Sequence, residues 1–221
     1  MSADSKRGAL ASSAESFAET FKVSHETIHR LERYVELLEH WQKTTNLVAP
    51  STLPDVWSRH LADSAQLSGL APKARLWLDL GSGGGFPGLV VAVLISGDPD
   101  FRMHLVESNQ KMCAFLGQVA RALEAPVVIH SMRIEQCAEN AQSLRPDVVS
   151  ARALAPLPRL LELAEPFLQE ETRGLFLKGR ETEAEIASAQ DGWRFDYVCH
   201  PSLTDDDARI VEIANLRRRS A

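Results

Sequence analysis

The run Arg75–Ile95, RLWLDLGSGGGFPGLVVAVLI, constrains this chain more than any other. Leu76–Leu80 is a short apolar run that stops at glycine, the pattern of a buried strand. Gly81, Gly83, Gly84 and Gly85 follow, too flexible to prolong either a strand or a helix. Pro87 suits a first helical position, and an apolar helix continues from it. A strand, a glycine turn and a helix N-terminus in that order present bare backbone amides and a positive dipole end to a ligand.

Two ligand classes fit such a turn. Gly83, Gly85 and Gly88 satisfy GxGxxG, the dinucleotide fingerprint. Gly81, Gly83 and Gly85 satisfy GxGxG with Asp79 two residues ahead, which resembles the first motif of S-adenosylmethionine-dependent methyltransferases. The apolar run sets the phase. It ends at Leu80, so the turn starts at Gly81 and Asp79 stands at the strand's carboxyl end. A carboxylate there repels a pyrophosphate but accepts from the amino-acid end of a sulfonium ligand, which favours the second class.

The 221 residues suffice for a sizeable core, and the composition is that of an ordinary globular chain, 44% hydrophobic and 24% charged. No apolar run approaches the roughly 20 residues of a membrane span, and MSADSKRG lacks a signal peptide's apolar core. Cys113, Cys137 and Cys199 are far apart and odd in number, fitting neither a disulfide framework nor zinc. A cytoplasmic protein is expected, free of membrane and metal (the histidines show no metal spacing). The net charge of −6 argues against indiscriminate nucleic-acid binding and leaves room for a local basic face.

Met1 to about Ala14 is small and polar and reads as frayed. Ser24 can cap a helix whose Ile28, Leu31, Val35, Leu38 and Trp41 recur at helical spacing. A second helical pattern runs over Pro54–Leu67, so residues 1–72 form a small helical subdomain ahead of residues 73–221. Past the glycine turn, strand patterns at Phe101–Val106, Pro126–His130, Asp147–Ser150 and Gly174–Leu177 alternate with helical ones, including a short helix near Ile134–Ala141. Phe195–Cys199 and Ile210–Ile213 have no helix of length between them and read as a terminal hairpin. The expected fold is α/β: a doubly wound sheet, parallel except at its end.

Ligands of open α/β sheets bind beyond the carboxyl ends of the strands. Glu107 ends the second strand, where a carboxylate can take both hydroxyls of a ribose; the alternative is an acid at a helix N-terminus. Arg152 and Lys178 end the fourth and fifth strands, where a cation either faces an anionic ligand or substrate or forms a surface ion pair.

WQKTTNLV, RHLADS, DLGSGGGFPG, LVESNQK, SARALAP and LFLKG occur in the order found in the small-subunit rRNA guanine-N7 methyltransferases, the glucose-inhibited division protein B family. The chain resembles that family from about Leu37 to Ile213, and RHLADS with GFPG is a more specific pairing than any glycine motif. The resemblance implies a class I, Rossmann-like methyltransferase fold, S-adenosylmethionine as cofactor, and methylation of N7 of a guanine in the 530 loop of 16S rRNA. Carried over by position, the cofactor contacts are Gly81 and Phe86 in the turn, Ile134 and Glu135 after the third strand, and Arg152. Asp79, Gly83, Gly85 and Glu107 join them from the motif reading. Asn46, Arg59, His60, Lys178 and Arg209 are the RNA candidates, Arg209 standing in an Ala-Arg pair where the family often has Arg-His. Arg152 and Lys178 are the residues expected to act in catalysis, by positioning. The partners are 16S rRNA or the small ribosomal subunit, and a monomer is expected.

Guanine N7 carries a free lone pair and no proton, so no general base is required, and the cofactor carries the hard step. The absences agree: the chain has neither an Asn/Asp-Pro-Pro-aromatic motif for exocyclic amines nor a loop cysteine to attack a pyrimidine. A methyltransferase for a small molecule or protein, and a non-catalytic ribosome assembly factor, are the rival readings.

Overall fold

The computed structural model describes residues 11–139 and 141–219. At its centre is β1, Leu76–Leu80, the strand expected from the apolar run. Parallel to it lie β2 (Arg102–Glu107) and β3 (Val127–Ser131) on one side, β4 (Val148–Arg152) and β5 (Arg173–Lys178) on the other. The hairpin of β6 (Trp193–Pro201) and β7 (Arg209–Arg218) completes the sheet, with β7 antiparallel to β5. Among the described residues the order is β3-β2-β1-β4-β5-β7-β6. This is the mostly parallel α/β sheet with an antiparallel end that the alternating pattern predicts.

Side-chain alternation along the strands divides the core between two faces. Trp77, Met103, Leu105 and Val148 point to one, Leu78, Val106, Val149 and Phe176 to the other. The first face is covered by α1 (Ala14–Phe21), α2 (His25–Gln42), α3 (Asp63–Leu70), α4 (Gly88–Ile95) and α5 (Gln110–Ala122). The second carries α6 (Ile134–Ala138), α7 (Ala141–Leu144), α8 (Leu157–Ala164) and α9 (Thr182–Gly192). α4 is apolar all round because it is buried between the sheet and the N-terminal helices: Leu89 through Val93 have almost no exposed surface.

The N-terminal segment departs from its reading as frayed. Residues 1–10 of that stretch lie outside the described residues, but Ser13 and Ser16 form a reciprocal capping box that starts α1, and Phe17 is fully buried. Ser24 caps α2 as expected, its Oγ accepting from the Thr27 amide at 3.1 Å. Arg30 on α2 donates to the Leu123 carbonyl at 2.9 Å and to Ser96 Oγ at 2.6 Å, which locks α2 across the ends of α4 and α5. Ahead of α3, the chain takes a π-helical turn over Trp57–Ala62. The helix expected over Ile134–Ala141 is two pieces, α6 and α7, with residue 140 between them outside the described residues. Arg217 and Arg218 belong to β7, beyond the amino end of β5, since Lys178 pairs with Arg209 and Gly174 with Ile213. Among the described residues no helix is long and apolar enough to cross a membrane.

Candidate active site

The sheet reverses its winding between β1 and β4, and crevices for ligands form at such a point beyond the carboxyl ends. Two cavities open there. The larger, about 860 Å³, runs from the glycine turn past Phe86 and Arg152 to Lys178 and Arg209. The smaller, about 390 Å³, lies between Glu107, Met132, Ile134 and Leu163. Gly81 and the segment Ala153–Ala155 line both.

The turn's amides are less bare than the sequence suggests. Gly81 and Ser82 donate to the Val106 carbonyl at 2.9 and 3.1 Å, and Gly85 donates to the Ser82 carbonyl at 2.7 Å. The Gly83 amide donates to Glu107 Oε2 at 3.0 Å, and Glu107 Oε1 accepts from the Asn109 amide at 2.7 Å. A pyrophosphate would find these donors taken and a carboxylate beside them, so the dinucleotide option fails. Gly83 sits at φ +52° with nothing nearer than 3.8 Å to the place of a Cβ, an open backbone surface that faces the larger cavity. Gly85 is a packing glycine: at φ +92°, its Cβ would stand 2.5 Å from both Tyr34 Oη and Leu89 Cδ1, and it lines neither cavity. The Tyr34 hydroxyl donates to the Gly84 carbonyl and fastens the turn to α2.

Asp79 differs from its expected role. Its carboxylate is fully buried and lines neither cavity, because the β1 side chains at this position point beneath the turn rather than out of it. Oδ1 accepts from Ser150 Oγ at 2.7 Å, while Oδ2 has no hydrogen-bond partner among the described residues and lies 2.8 Å from where a Cβ on Gly88 would stand. Burial pushes this carboxyl up to about 6. Asp79 therefore braces the turn and the start of α4 from below.

Arg152 is drawn to the helical segment. Nη1 donates to the Arg59 carbonyl at 2.8 Å and to Asp63 Oδ2 at 3.3 Å, Nη2 donates to His60 Nδ1 at 2.6 Å, and the guanidinium lies 5.1 Å over the Phe86 ring. The π turn makes this possible. The Asp63 amide bonds to Ser58 as well as His60 and passes over Arg59, whose carbonyl is then free to face Arg152. Phe86 is in turn sandwiched between Tyr34 and His60, with ring centroids at 5.3 and 4.9 Å.

The remaining candidates are spread around the rims. His60 is 6% exposed, held between Arg152 and Thr52, so it offers no free ring edge to RNA. Lys178 is also spoken for: Nζ donates to the Ala155 carbonyl at 2.9 Å and pairs with Glu185 Oε2 at 2.5 Å. Arg59 pairs with Asp205 at 3.0 Å, and Arg209 donates to the Asp206 and Ala208 carbonyls, both at the mouth of the larger cavity. Asn46 is exposed and bonded to Gln42; its neighbours Leu47 and Val48, not Asn46 itself, line the cavity. Ile134 and Glu135 border the smaller cavity, Glu135 paired with Arg159 at 3.2 Å. Sequence reasoning missed Tyr34, Thr52, Asp63, Leu154 and Glu185. Asp63 lay within RHLADS and was open to discovery; Glu185 stands in an unremarkable acidic helix. Among the described residues no three His, Cys, Asp or Glu side chains group to hold a metal.

Against known proteins, residues 27–210 match the GidB family, described as rRNA small subunit methyltransferase G. The chain belongs to that family. Its relatives include proteins named ribosomal RNA small subunit methyltransferase G from Parvibaculum lavamentivorans, 50% identical over 92% of this chain and 89% of that one, and from Rhizobium rhizogenes, 48% identical over 90% and 97%. Similar solved structures include an O-methyltransferase from Bacillus cereus in complex with SAH (TM-score 0.62, 11% identity, 91% of this chain and 96% of that one). Another is Aeropyrum pernix fibrillarin with natively bound S-adenosyl-L-methionine (TM-score 0.52, 20% identity, 68% and 73%). The fold of this GidB family member is that of the class I methyltransferases. The residues present fit S-adenosylmethionine: the turn offers open glycine backbone at Gly83 in the larger cavity, and Gly81 joins that cavity to a smaller one whose wall mixes apolar side chains such as Met132, Ile134 and Leu163 with the carboxylates Glu107 and Glu135.

Proposed function

We propose that this chain transfers a methyl group from S-adenosylmethionine to N7 of a guanine in the 530 loop of 16S rRNA. The reading is carried by two joined cavities at the switch point of a GidB family fold. The smaller takes the nucleoside end of the cofactor, with Glu107 beside the ribose and Ile134 and Glu135 along the base. The larger takes the target base, and the cations Arg59 and Arg209 at its mouth meet the RNA backbone. A guanine in structured RNA must be splayed out of its stack to enter. The cofactor, when bound, supplies a methyl group already activated by its sulfonium.

The side chains have only to position and to exclude water. His60 is held neutral at about 3 by burial and by the Arg152 and Arg59 charges. That is consistent with chemistry in which no residue takes a proton. Arg152 fixes Phe86 and the RHLADS turn as one wall of the larger cavity. Residues up to 72 contribute the RHLADS turn to that wall, and residues 73–221 contribute Phe86, Arg152 and the cofactor side. We read the protein as a cytoplasmic monomer acting on 16S rRNA or the small subunit. Its described cysteines are all free thiols. Transfer of labelled methyl from S-adenosylmethionine to small subunits that lack the modification tests the proposal; binding without transfer would make it an assembly factor, and transfer to another atom would replace N7.

A further inference from the structure

Glu185 belongs to none of the sequence motifs, yet it closes a clamp on the segment that divides the two cavities. Its Oε2 accepts from the Leu157 amide at 2.6 Å and meets Lys178 Nζ at 2.5 Å, while Lys178 Nζ donates to the Ala155 carbonyl at 2.9 Å. Leu157 opens α8, and Pro156 before it has no N–H, so Glu185 takes the first amide the helix presents. One ion pair thus holds a carbonyl and an amide two residues apart. The two side chains are only 9% and 20% exposed, so water competes weakly for them.

The held segment carries Leu154. Leu154 Cδ1 lies 2.6 Å from where a Cβ on Gly81 would stand, so the leucine rests on the bare backbone of the turn. It also lines both cavities. Ala153 just before it has φ +53°, a conformation an alanine adopts when its surroundings hold it there. A ligand that reaches from Glu107 to the larger cavity must pass Leu154.

We propose that Glu185 is a positioning residue for cofactor binding: with Lys178 it holds Leu154 against the glycine turn as one wall of the passage in which the cofactor lies. The inference rests on the S-adenosylmethionine reading above. Lys178 then serves the site through the loop it pins, and its charge is shared with Glu185 rather than offered whole to RNA.

The test uses the full-length protein and three readouts: amide hydrogen exchange at Leu157 without ligand, S-adenosylmethionine affinity by calorimetry, and the single-turnover rate at saturating cofactor and RNA. Glu185→Ala should lower Leu157 protection and raise the Kd by about tenfold, the scale of one lost hydrogen bond, with the saturated rate within about threefold. Glu185→Gln keeps an oxygen for the Leu157 amide and should recover most of both. Leu154→Ala should raise the Kd similarly, and adding Glu185→Ala to it should change little. Unchanged Leu157 protection, unchanged affinity in a folded Glu185→Ala protein, or fully additive losses would each overturn the clamp. A wild-type protein that binds no S-adenosylmethionine would instead overturn the cofactor reading on which the clamp depends.

Discussion

Arg152 and His60 share a hydrogen bond whose direction is fixed by chemistry: arginine can only donate, so His60 Nδ1, 2.6 Å from Arg152 Nη2, must accept. His60 Nε2 then carries the hydrogen and donates to Thr52 Oγ1 at 2.7 Å, and the Thr52 hydroxyl donates to the Ala49 carbonyl at 2.8 Å. The chain of bonds ties the end of β4 to the turn at Pro50–Thr52 through a neutral imidazole. A residue expected to be an RNA contact is thereby a strut.

Replacing Arg152 tests that arrangement. Arg152→Ala leaves Asp63 half of a partly buried pair, and loss of one partner of a buried pair costs about 3–5 kcal/mol, so a value near the lower end is expected at these 17% and 18% exposures. Arg152→Lys restores the charge but cannot reach Arg59, Asp63 and His60 together while covering Phe86. It should stay folded and lose at least about tenfold in methyl transfer through mispositioning. Urea denaturation and single-turnover assays measure the two effects; an Arg152→Ala protein as stable as the parent would refute the strut.

Stability should fall on the acid side of neutrality because of His60. Its folded pKa, about 3, lies below the ordinary 6.5, so the unfolded chain binds the proton first. The contribution is complete above about pH 6.5 and is lost as pH drops toward 3, amounting to about 2 kcal/mol by pH 5. Burial shifts His104, pushed down to about 4, and His130 in the same direction, and the two rings are bonded at 2.9 Å. Denaturation midpoints at pH 7.5 and 5 would show the net loss, which the raised Asp79 carboxyl partly offsets, and His60→Gln should shrink it.

The glycines of the turn should separate folding from binding. Gly85→Ala drives a Cβ into Tyr34 and Leu89 and should fail to fold or lose several kcal/mol. Gly83→Ala meets open space and carries only a left-handed backbone cost of about 1 kcal/mol, so it should fold. Its new methyl group faces the larger cavity and should weaken S-adenosylmethionine binding by about tenfold or more. Circular dichroism with calorimetry would distinguish the two, and equal behaviour would contradict the placement of the cavities.

Glu107→Ala should weaken S-adenosylmethionine more than RNA, because the carboxylate orders the Gly83 and Asn109 amides in addition to its proposed place beside the ribose. Charge-assisted bonds contribute roughly 1.5–3 kcal/mol, so a loss of about tenfold or more is expected for the cofactor. Parallel titrations with S-adenosylmethionine and an rRNA fragment measure it, and equal losses would count against the ribose contact.

With no proton to remove from N7, the saturated single-turnover rate should be nearly flat from about pH 7 to 8.5, below the lysine range and above the Asp79 titration near 6. A rise with slope near one would point to an essential base and another acceptor atom.

Much of this protein is legible in its residues taken alone. The apolar run Leu76–Leu80, the Ser24 cap and the alternation of strand and helix follow from local propensity and side-chain period, which neighbouring residues decide among themselves. So does the glycine turn, while the family motifs are legible through their resemblance to known sequences. α1 was missed because its signal, two serines and one phenylalanine, is short and polar. Only tertiary structure decided what the charged groups do. Arg152 finds Asp63 89 residues away, Lys178 is claimed by Glu185 from another layer, and Asp79 is buried beneath the glycine turn instead of facing the crevice. A charge's role depends on which opposite charge, carbonyl or solvent lies within about 4 Å, and that is set by how layers pack rather than by the residues beside it in the chain.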